Sequence, residues 1–230
     1  RTIVEEQVPI VFTSAGNPAT WTKHLTDKGI IVVHVTASVK FAKKAVDAGA
    51  AAVVAEGFEA GGHNGREETT TLVLVPMVRD AVDVPVIAAG GIADGRAMLA
   101  AMALGADGVQ VGSRFVACEE SSAHPAFKQH VIASKEGDTL LTLKELAPVR
   151  LMRNKFFSDV QAAYARGASV EELKVLLGRA RAKRGMFEGD LEEGELEIGQ
   201  VSAALDGILP AARIVESIID GYRKAKSLLT

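Results

Sequence analysis

The first half of the chain repeats one unit, in which a short apolar run is followed by a polar or glycine-rich end and an alanine-rich helical stretch. Nearly every position in the runs is apolar, which is typical of strands buried on both faces. Alternation of such runs with helical patterns predicts a parallel sheet. The predicted strands are Val8–Thr13, Ile30–Thr36, Ala51–Glu56, Val84–Ala89 and Gly108–Gly112, and the predicted helices include Val39–Ala48, Thr71–Ala81 and Arg96–Leu104.

The pattern changes after Arg114, where we expect helices joined by polar turns instead of further strands. Amphipathic patterns predict helices over Val170–Lys183 and Ala211–Leu229. We therefore divide the chain into a strand–helix part, residues 1–118, and a helical part, residues 119–230. A basic cluster, Arg179–Arg184, precedes an acidic segment and is expected to be solvated surface.

One connection is longer than the others. Predicted strand ends follow each other at about 20–22 residues, but the unit from Glu56 to Gly90 is longer by about a dozen residues, and the excess falls in Gly57–Thr70. In parallel α/β folds, the loops that follow the strands carry the functional residues. This loop is therefore a candidate site.

Two glycine sites directly follow predicted strands, Gly90-Gly91 after one strand and Gly112-Ser113 after the next. Glycine lets backbone N–H groups approach a phosphate closely, and such a pair on the last two strands of a (β/α)8 barrel is the usual phosphate site of that fold. The alternative is that these glycines only form tight turns. Neither G-x-G-x-x-G nor a P-loop motif occurs, so a Rossmann or P-loop nucleotide site lacks its motif.

His63 lies in the long loop and has glycines on both sides. An imidazole in this setting can donate a proton or a hydrogen bond to a ligand, although it could also stabilise a turn. The other histidines, His24, His34, His124 and His130, lack such a setting and are expected to be structural or exposed to solvent. No histidine–carboxylate spacing predicts a metal site.

Composition narrows the classes of function. A net charge of −3 and an aromatic content of 5% argue against a nucleic-acid-binding protein. No apolar run reaches the roughly 18–20 residues that span a bilayer. A single cysteine, Cys118, cannot form an internal disulfide, so we expect a reducing, cytoplasmic location.

Four segments together resemble the superfamily of FMN-dependent enoyl-acyl-carrier-protein reductase II and nitronate monooxygenase (2-nitropropane dioxygenase). The likeness covers nearly the whole chain. The four segments are Ala55–His63, Pro85–Gly95, Gly108–Phe115 and Ile198–Gln200.

The resemblance implies an α/β fold, a (β/α)8 TIM barrel with a C-terminal helical lid and with FMN at the carboxyl ends of the strands. The FMN phosphate would lie against Gly90, Gly91, Gly112 and Ser113, and His63 matches the family histidine beside the flavin ring. The rest of the flavin would contact Ala15, Gly16, Glu56, Gly61 and Gly62.

The chain also departs from the family pattern. Family members carry three further βα units upstream, including a Gly-Gly-Met flavin loop, whereas five strands are predicted here. Because five parallel strands cannot close such a barrel, we expect about 70–80 residues of the protein to precede Arg1.

Two reactions are compatible with the resemblance. The first is reduction of an enoyl thioester by NADPH or NADH through FMN in fatty acid biosynthesis, with an acyl-carrier-protein-linked or CoA-linked substrate and a homodimeric enzyme. The second is oxidation of alkyl nitronates by O2. The run Glu119–Lys128 is more similar to the reductase branch, and the cluster Arg179–Arg184 could meet an acidic carrier protein or a cofactor phosphate. A third possibility, of another class, is a flavin- or phosphate-binding module without turnover, or a five-stranded doubly wound binding domain.

Overall fold

A parallel sheet forms the first half of the molecule. The structure is a computed structural model that describes residues 1–229. Its parallel strands lie side by side in chain order and curl into a half-barrel. They are β1 (Ile10–Thr13), β2 (Ile31–Thr36), β3 (Ala52–Glu56), β5 (Val86–Ala89) and β6 (Gly108–Gln110), while β4 (Gly62–His63) belongs to a second sheet described below.

The central strands of the parallel sheet are buried on both faces, as the continuous apolar runs predict, whereas Ile10 and Phe12 of the edge strand β1 are about half exposed. On the convex face, Val53 and Val86 pack against the helices of the βα units. On the concave face, Val33, Val54 and Ala89 form a separate cluster inside the half-barrel. The helices of these units are α2 (Thr22–Thr26), α3 (Val39–Asp47), α4 (Thr71–Arg79) and α5 (Gly95–Ala103), and α1 (Thr2–Glu5) precedes β1.

Local signals in the sequence explain where these helices begin and end. Ser38 and Asp94 cap α3 and α5, since their side chains accept hydrogen bonds from the backbone N–H groups of Phe41 and Ala97. Each predicted strand and helix of this half is present, and its observed ends lie within two residues of the predicted ones. The parallel α/β prediction is confirmed.

The prediction of helices throughout residues 119–230 is wrong. Two strands, β7 (Thr139–Thr142) and β8 (Val149–Met152), pair with each other and with β4 to form an antiparallel sheet in the order β4-β8-β7. Strands of four residues are too short to show a clear alternation, and all four residues of β8, including Arg150, are buried. The enlarged loop therefore contains a short strand that joins the second sheet.

The remaining helices follow α5 in the chain. The predicted helix Val170–Lys183 is interrupted, because Gly178 and Ala180 adopt positive φ angles of 64° and 60°. The helices are α6 (Ser113–Val116), α7 (Pro125–Ile132), α8 (Lys155–Ala165), α9 (Val170–Leu177), α10 (Arg181–Met186) and α11 (Ala211–Ser227). Of these, α8 and α9 pack against the second sheet.

The last helix returns to the first half of the molecule. α11 packs along α5, and the two helices approach most closely where Gly95 faces Gly221. A side chain at Gly95 would overlap the backbone of Tyr222, so glycine permits this contact. Within residues 1–229, none of the helices combines the length and the apolar character needed to cross a membrane.

Candidate active site

Two neighbouring cavities lie where the parallel strands end, and a third lies next to them against the antiparallel sheet. We call the first, of about 180 Å³, the glycine cavity; the second, of about 250 Å³, the central cavity; and the third, of about 230 Å³, the leucine cavity. Glu56 lines the first two, and His63 lines the second and third. These two residues therefore connect the three cavities.

The glycine cavity brings together the residues that the sequence predicts for a phosphate. Its wall includes Gly61, Gly90, Gly91, Gly112 and Ser113. Within residues 1–229, the backbone N–H groups of Gly90, Gly91 and Gly112 donate no hydrogen bond. Free N–H groups around a cavity suit an anion, because they supply hydrogen bonds and partial positive charge.

The glycine cavity is closed from the side by the chain after Ile198. The hydroxyl oxygen of Ser113 accepts a hydrogen bond from the N–H group of Gly199 at 2.9 Å. A side chain at Gly61 would overlap the backbone at Ile198 and Gly199, and Gln200 donates its N–H group to the carbonyl oxygen of Glu59. The Ile198–Gln200 segment thus connects Ser113, in the wall of the glycine cavity, with the long loop.

Glu59 is a residue of the site that sequence analysis did not single out. Its carboxylate accepts hydrogen bonds from the N–H group of Thr71 at 3.0 and 3.1 Å and from the Thr71 hydroxyl group at 3.0 Å. The same hydroxyl group lies within 3.0 Å of the carbonyl oxygen of Gly90. Glu59 thereby ties the start of α4 to the glycine cavity, and its negative charge is already matched by two donors.

The central cavity holds the predicted residues Ala15, Gly16 and Glu56 together with His34 and His63. Ala15 and Gly16 both have positive φ angles, 60° and 64°, so the turn after β1 presents its backbone to the cavity. Burial raises the pKa of Glu56 to about 7. A carboxyl group with this pKa can exchange a proton near neutral pH.

His34 also lines the central cavity, and its expected structural role stays a prediction. It is 4% exposed, and its Nδ1 lies 2.8 Å from the Thr13 hydroxyl group on the neighbouring strand. Burial lowers the pKa of His34, which favours the neutral imidazole.

His63 is held by the antiparallel sheet. Its backbone pairs with Val149 of β8, and the following Asn64 donates its N–H group to the carbonyl oxygen of Pro148. The Asn64 amide group also donates to the carbonyl oxygens of Ala60 and Gly62, at 3.0 and 2.9 Å. The imidazole itself is exposed and makes no hydrogen bond within residues 1–229. The backbone is fixed, while the imidazole is available to a ligand.

Arg150 holds the start of this loop, at Phe58, against the second sheet. It is 2% exposed, and its guanidinium group donates to the carbonyl oxygen of Phe58 at 2.8 and 3.1 Å while lying over the Phe58 ring. Its backbone pairs with Gly62. Burial lowers the pKa of Arg150, and the charges of Glu59 and Glu68 act in the opposite direction. This buried cation holds the glycine-rich loop on the second sheet.

Two further carboxyl groups, Glu195 and Glu197, lie next to His63, and sequence analysis missed both. Burial and the neighbouring Glu197 raise the pKa of Glu195 to about 7. Burial also raises the pKa of Glu197, and the charge of His63 opposes that shift. An oxygen of Glu197 would lie 2.6 Å from a Cβ atom at Gly62, so the carboxyl group rests against the backbone beside His63.

All but one of the predicted site residues line a cavity. The exception is Gly62, which is buried with a φ angle of 76° beneath the carboxyl group of Glu197. Gly62 therefore shapes the loop, and a contact between Gly62 and flavin stays a prediction.

The basic cluster is largely paired within the chain. Lys183 forms an ion pair with Glu188, and Arg184 with Asp190. The Arg181 guanidinium group donates hydrogen bonds to the backbone carbonyl oxygens of Leu176, Leu177 and Glu193. A role of this cluster toward a carrier protein stays a prediction.

The site fits the phosphate end of FMN. Within residues 1–229, unused N–H groups line the glycine cavity, no atom lies within 4 Å of the Cβ position of Gly112, and the charged residues of the wall are carboxyl groups, with no Lys or Arg among them. A phosphate would therefore be held by backbone N–H groups of Gly90, Gly91 and Gly112 and by the Ser113 hydroxyl group. Glu56 lines both the glycine cavity and the central cavity, so it lies next to the space that the phosphate would occupy.

Comparison with known proteins decides the family. Residues 1–221 match the nitronate monooxygenase family. The chain belongs to this family. It is 35% identical to a probable nitronate monooxygenase of Staphylococcus aureus, over 95% of this chain and 64% of that protein. This chain thus spans slightly less than two thirds of the length of that relative.

Two other proteins show the breadth of the nitronate monooxygenase family. FabK from Thermotoga maritima is 42% identical, with a TM-score of 0.90 over 99% of this chain and 72% of that chain. A (3aS,4S,5R,7aS)-5-hydroxy-7a-methyl-1-oxo-octahydro-1H-indene-4-carboxyl-CoA dehydrogenase of Rhodococcus jostii is 31% identical, over 87% of this chain and 67% of that protein. The family consists of flavin-dependent oxidoreductases, and the superfamily resemblance is confirmed.

Proposed function

We propose that the protein is an FMN-dependent enoyl thioester reductase that uses NADPH or NADH. The observation that carries the proposal is the position of His63, which lines both the central cavity, next to the glycine cavity with its free backbone N–H groups, and the leucine cavity with its apolar wall. An enoyl thioester needs both a flavin beside its double bond and an apolar space for its acyl chain. The similarity to FabK and to a dehydrogenase of a CoA thioester supports this choice.

In this proposal, different residues of the chain would bind the cofactor and assist the reaction. Gly90, Gly91, Gly112 and Ser113 would hold the FMN phosphate, and Ala15, Gly16, Glu56 and Gly61 would contact the rest of the cofactor. FMN supplies hydride transfer between the nicotinamide and the β carbon of the substrate. The His63 imidazole would donate a proton or a hydrogen bond to the substrate beside that carbon.

The finer features belong to this proposal as well. They are a complete (β/α)8 barrel with residues 119–230 as a lid, an acyl-carrier-protein-linked or CoA-linked substrate, a homodimer and a cytoplasmic location. Absence of a membrane or nucleic-acid partner is part of the same proposal.

Oxidation of alkyl nitronates is the second candidate function, because the Staphylococcus aureus relative carries that name. In that reaction His63 would orient the nitro compound or take a proton from its α carbon. A binding module without turnover would represent a third class.

The deciding experiment follows the colour of the bound flavin. Under anaerobic conditions NADPH, or NADH, should bleach the flavin, and crotonyl thioester should then restore its absorbance. Reoxidation only by O2, together with turnover of a nitroalkane, would contradict the reductase and favour the monooxygenase. A protein that binds flavin but reacts with none of these compounds would belong to the third class.

A further inference from the structure

The leucine cavity lies between the antiparallel sheet and the break between α9 and α10. Val149 of β8 forms part of its floor, and Leu177 forms part of the opposite wall. Leu143, Leu146 and Ala147, on the turn between β7 and β8 and at its edges, complete an apolar lining of about 230 Å³. The cavity reaches His63, so a molecule inside it would approach the candidate catalytic imidazole.

The polar part of the same cavity is acidic. Glu195 and Glu197 both line it, and within residues 1–229 neither side chain forms a hydrogen bond or a salt bridge. The backbone of Glu197 pairs with Leu151, on the same edge of β8 with which Gly62 and His63 pair. Since Leu151 and Val149 are two residues apart, Glu197 and His63 lie on the same face of this sheet.

The cation of this cavity is engaged elsewhere. The Arg181 guanidinium group donates to the carbonyl oxygens of Leu177 and Glu193 at 2.7 and 2.6 Å and lies over the Phe156 ring. Its ion-pair partner is the carboxylate of Glu193, at 3.6 Å. Arg181 thus directs its hydrogen bonds and its ion pair away from Glu195 and Glu197, although its charge partly opposes the rise in the pKa of Glu195. Within residues 1–229, neither Glu195 nor Glu197 has a salt-bridge partner.

We propose that the leucine cavity is the acyl pocket of the protein and that Glu195 and Glu197 restrict it to uncharged acyl chains of limited length. This inference rests on the proposed function, since it names the acyl group that the reductase accepts. The apolar wall contributes the favourable burial of the chain. The two carboxyl groups repel an anionic group that enters the same small space.

The volume sets the expected chain length. A cavity of about 150 Å³ accommodates benzene, with its six carbons, so about 230 Å³ corresponds to roughly six to nine carbons. Butenoyl, hexenoyl and octenoyl groups should fit, whereas a dodecenoyl group should not.

The charge selection is tested with a matched pair of unreactive ligands. 5-Methylhexanoyl pantetheine and glutaryl pantetheine are thioesters of the same shape, but only the second carries a terminal carboxylate in place of the two methyl groups. Calorimetric titration of the flavin-loaded protein at pH 8 should give a dissociation constant for the glutaryl compound that is roughly 10- to 100-fold larger. The pH lies above the pKa of about 7 for Glu195, so that this carboxyl group is largely charged.

Substitution then assigns the selection to the two residues. In the double variant Glu195→Gln, Glu197→Gln the ratio of the two dissociation constants should fall to within about threefold, and each single variant should lie between. The matched control is Glu192→Gln, an exposed carboxylate on the same segment, which should keep the wild-type ratio. The flavin content and the melting temperature of each variant are measured to check that it folds. If the double variant does not fold, the two single variants are used in its place.

An unchanged ratio in the double variant, or equal binding of both thioesters to the wild-type protein, would overturn the proposal. Tighter binding of the glutaryl compound would also overturn it.

Chain length provides an independent measurement. Affinity for saturated acyl pantetheines should rise from four to about eight carbons and then fall, and Ala147→Leu should shift the maximum to a shorter chain. Increasing affinity up to twelve carbons, with no effect of Ala147→Leu, would contradict the pocket. Because these ligands are not reduced, a failure of enoyl reduction with intact selection would count against the proposed function alone.

Discussion

The parallel and the antiparallel sheet meet at the candidate site, and they hold their functional groups by different means. The parallel sheet offers backbone N–H groups of Gly90, Gly91 and Gly112, which follow the paired strands β5 and β6. The antiparallel sheet offers the side chain of His63, on a strand of two residues that depends on β8 and Arg150. Under the proposed function, phosphate binding would rely on the main chain at the ends of the parallel strands, and proton donation by His63 would rely on the antiparallel sheet.

This difference predicts that the two functions can be lost separately. Changes at the parallel strand ends should remove the cofactor, whereas changes at His63 should leave the cofactor and remove turnover. Three substitutions follow, from the largest expected effect to the smallest; the first two test that separation, and the third tests the buried carboxyl group of the parallel sheet.

Substitution of Gly112 by valine should abolish flavin binding. Gly112 has a φ angle of −103°, and no atom lies within 4 Å of its Cβ position, so valine fits without strain but extends into the glycine cavity. The purified variant should be colourless with a normal unfolding curve. Gly91→Val should also lose flavin, but its φ angle of 69° adds strain to the result.

The control for this experiment is Gly108→Val, on the strand β6 that precedes Gly112. Gly108 also has open space around its Cβ position and does not line the glycine cavity. The Gly108→Val variant should retain flavin. Normal flavin content in Gly112→Val would show that the phosphate lies elsewhere.

Substitution of His63 by alanine should reduce substrate-dependent turnover by about 10²- to 10⁴-fold, the usual contribution of a positioned acid–base group. The imidazole is exposed and makes no hydrogen bond within residues 1–229, so the melting temperature and flavin content should change little. Stopped-flow measurement of both half-reactions should show a smaller effect on flavin reduction than on enoyl reduction.

Two outcomes would change this interpretation. Normal turnover with a lower melting temperature would make His63 a structural residue. Equal losses in both half-reactions would indicate that the loop organises the whole cofactor site.

Substitution of Glu56 by glutamine tests the parallel sheet at the border between the cavities. Burial raises the pKa of Glu56 from 4.5 to about 7, so the folded protein binds this proton more tightly than the unfolded chain does. The stability that this proton contributes is complete below about pH 4.5 and is lost as the pH rises through 7. The variant cannot ionise, and it should therefore gain about 1–3 kcal/mol relative to the wild-type protein at pH 8 and almost nothing at pH 4.

Urea unfolding at both pH values measures this difference. Glu136→Gln, an exposed carboxylate, is the control and should change neither value appreciably. An equal effect of Glu56→Gln at pH 4 and pH 8 would argue against a buried carboxyl group that gains its charge in the folded state.

The same difference between the sheets explains what the sequence could predict. Strands buried on both faces give continuous apolar runs, and parallel βα units place the following glycines at one end of the sheet, so Gly90 and Gly112 could be brought together from the sequence alone. The loop around His63 was recognisable by its length and its glycines.

The contacts of the antiparallel sheet were not predictable in this way. Arg150 interrupts a short apolar run and would be expected at the surface, but the Phe58 carbonyl oxygen and ring give it partners in the interior. Glu195 and Glu197 alternate with Leu196 and Ile198, which suggests an extended segment with one polar face. Only the fold shows that this polar face is turned toward His63.

The two-residue strand that carries His63 also limits how the length of the loop can change. Successive residues of a strand point to opposite faces, so a shift of one position in the pairing of Gly62 with Arg150 would turn the imidazole away from Glu197 and the leucine cavity. One inserted residue between Phe58 and His63 should therefore be far more damaging than one inserted between Gly65 and Thr70, where the chain is not paired with β8. For this loop, the number of residues before the histidine matters as much as their identity.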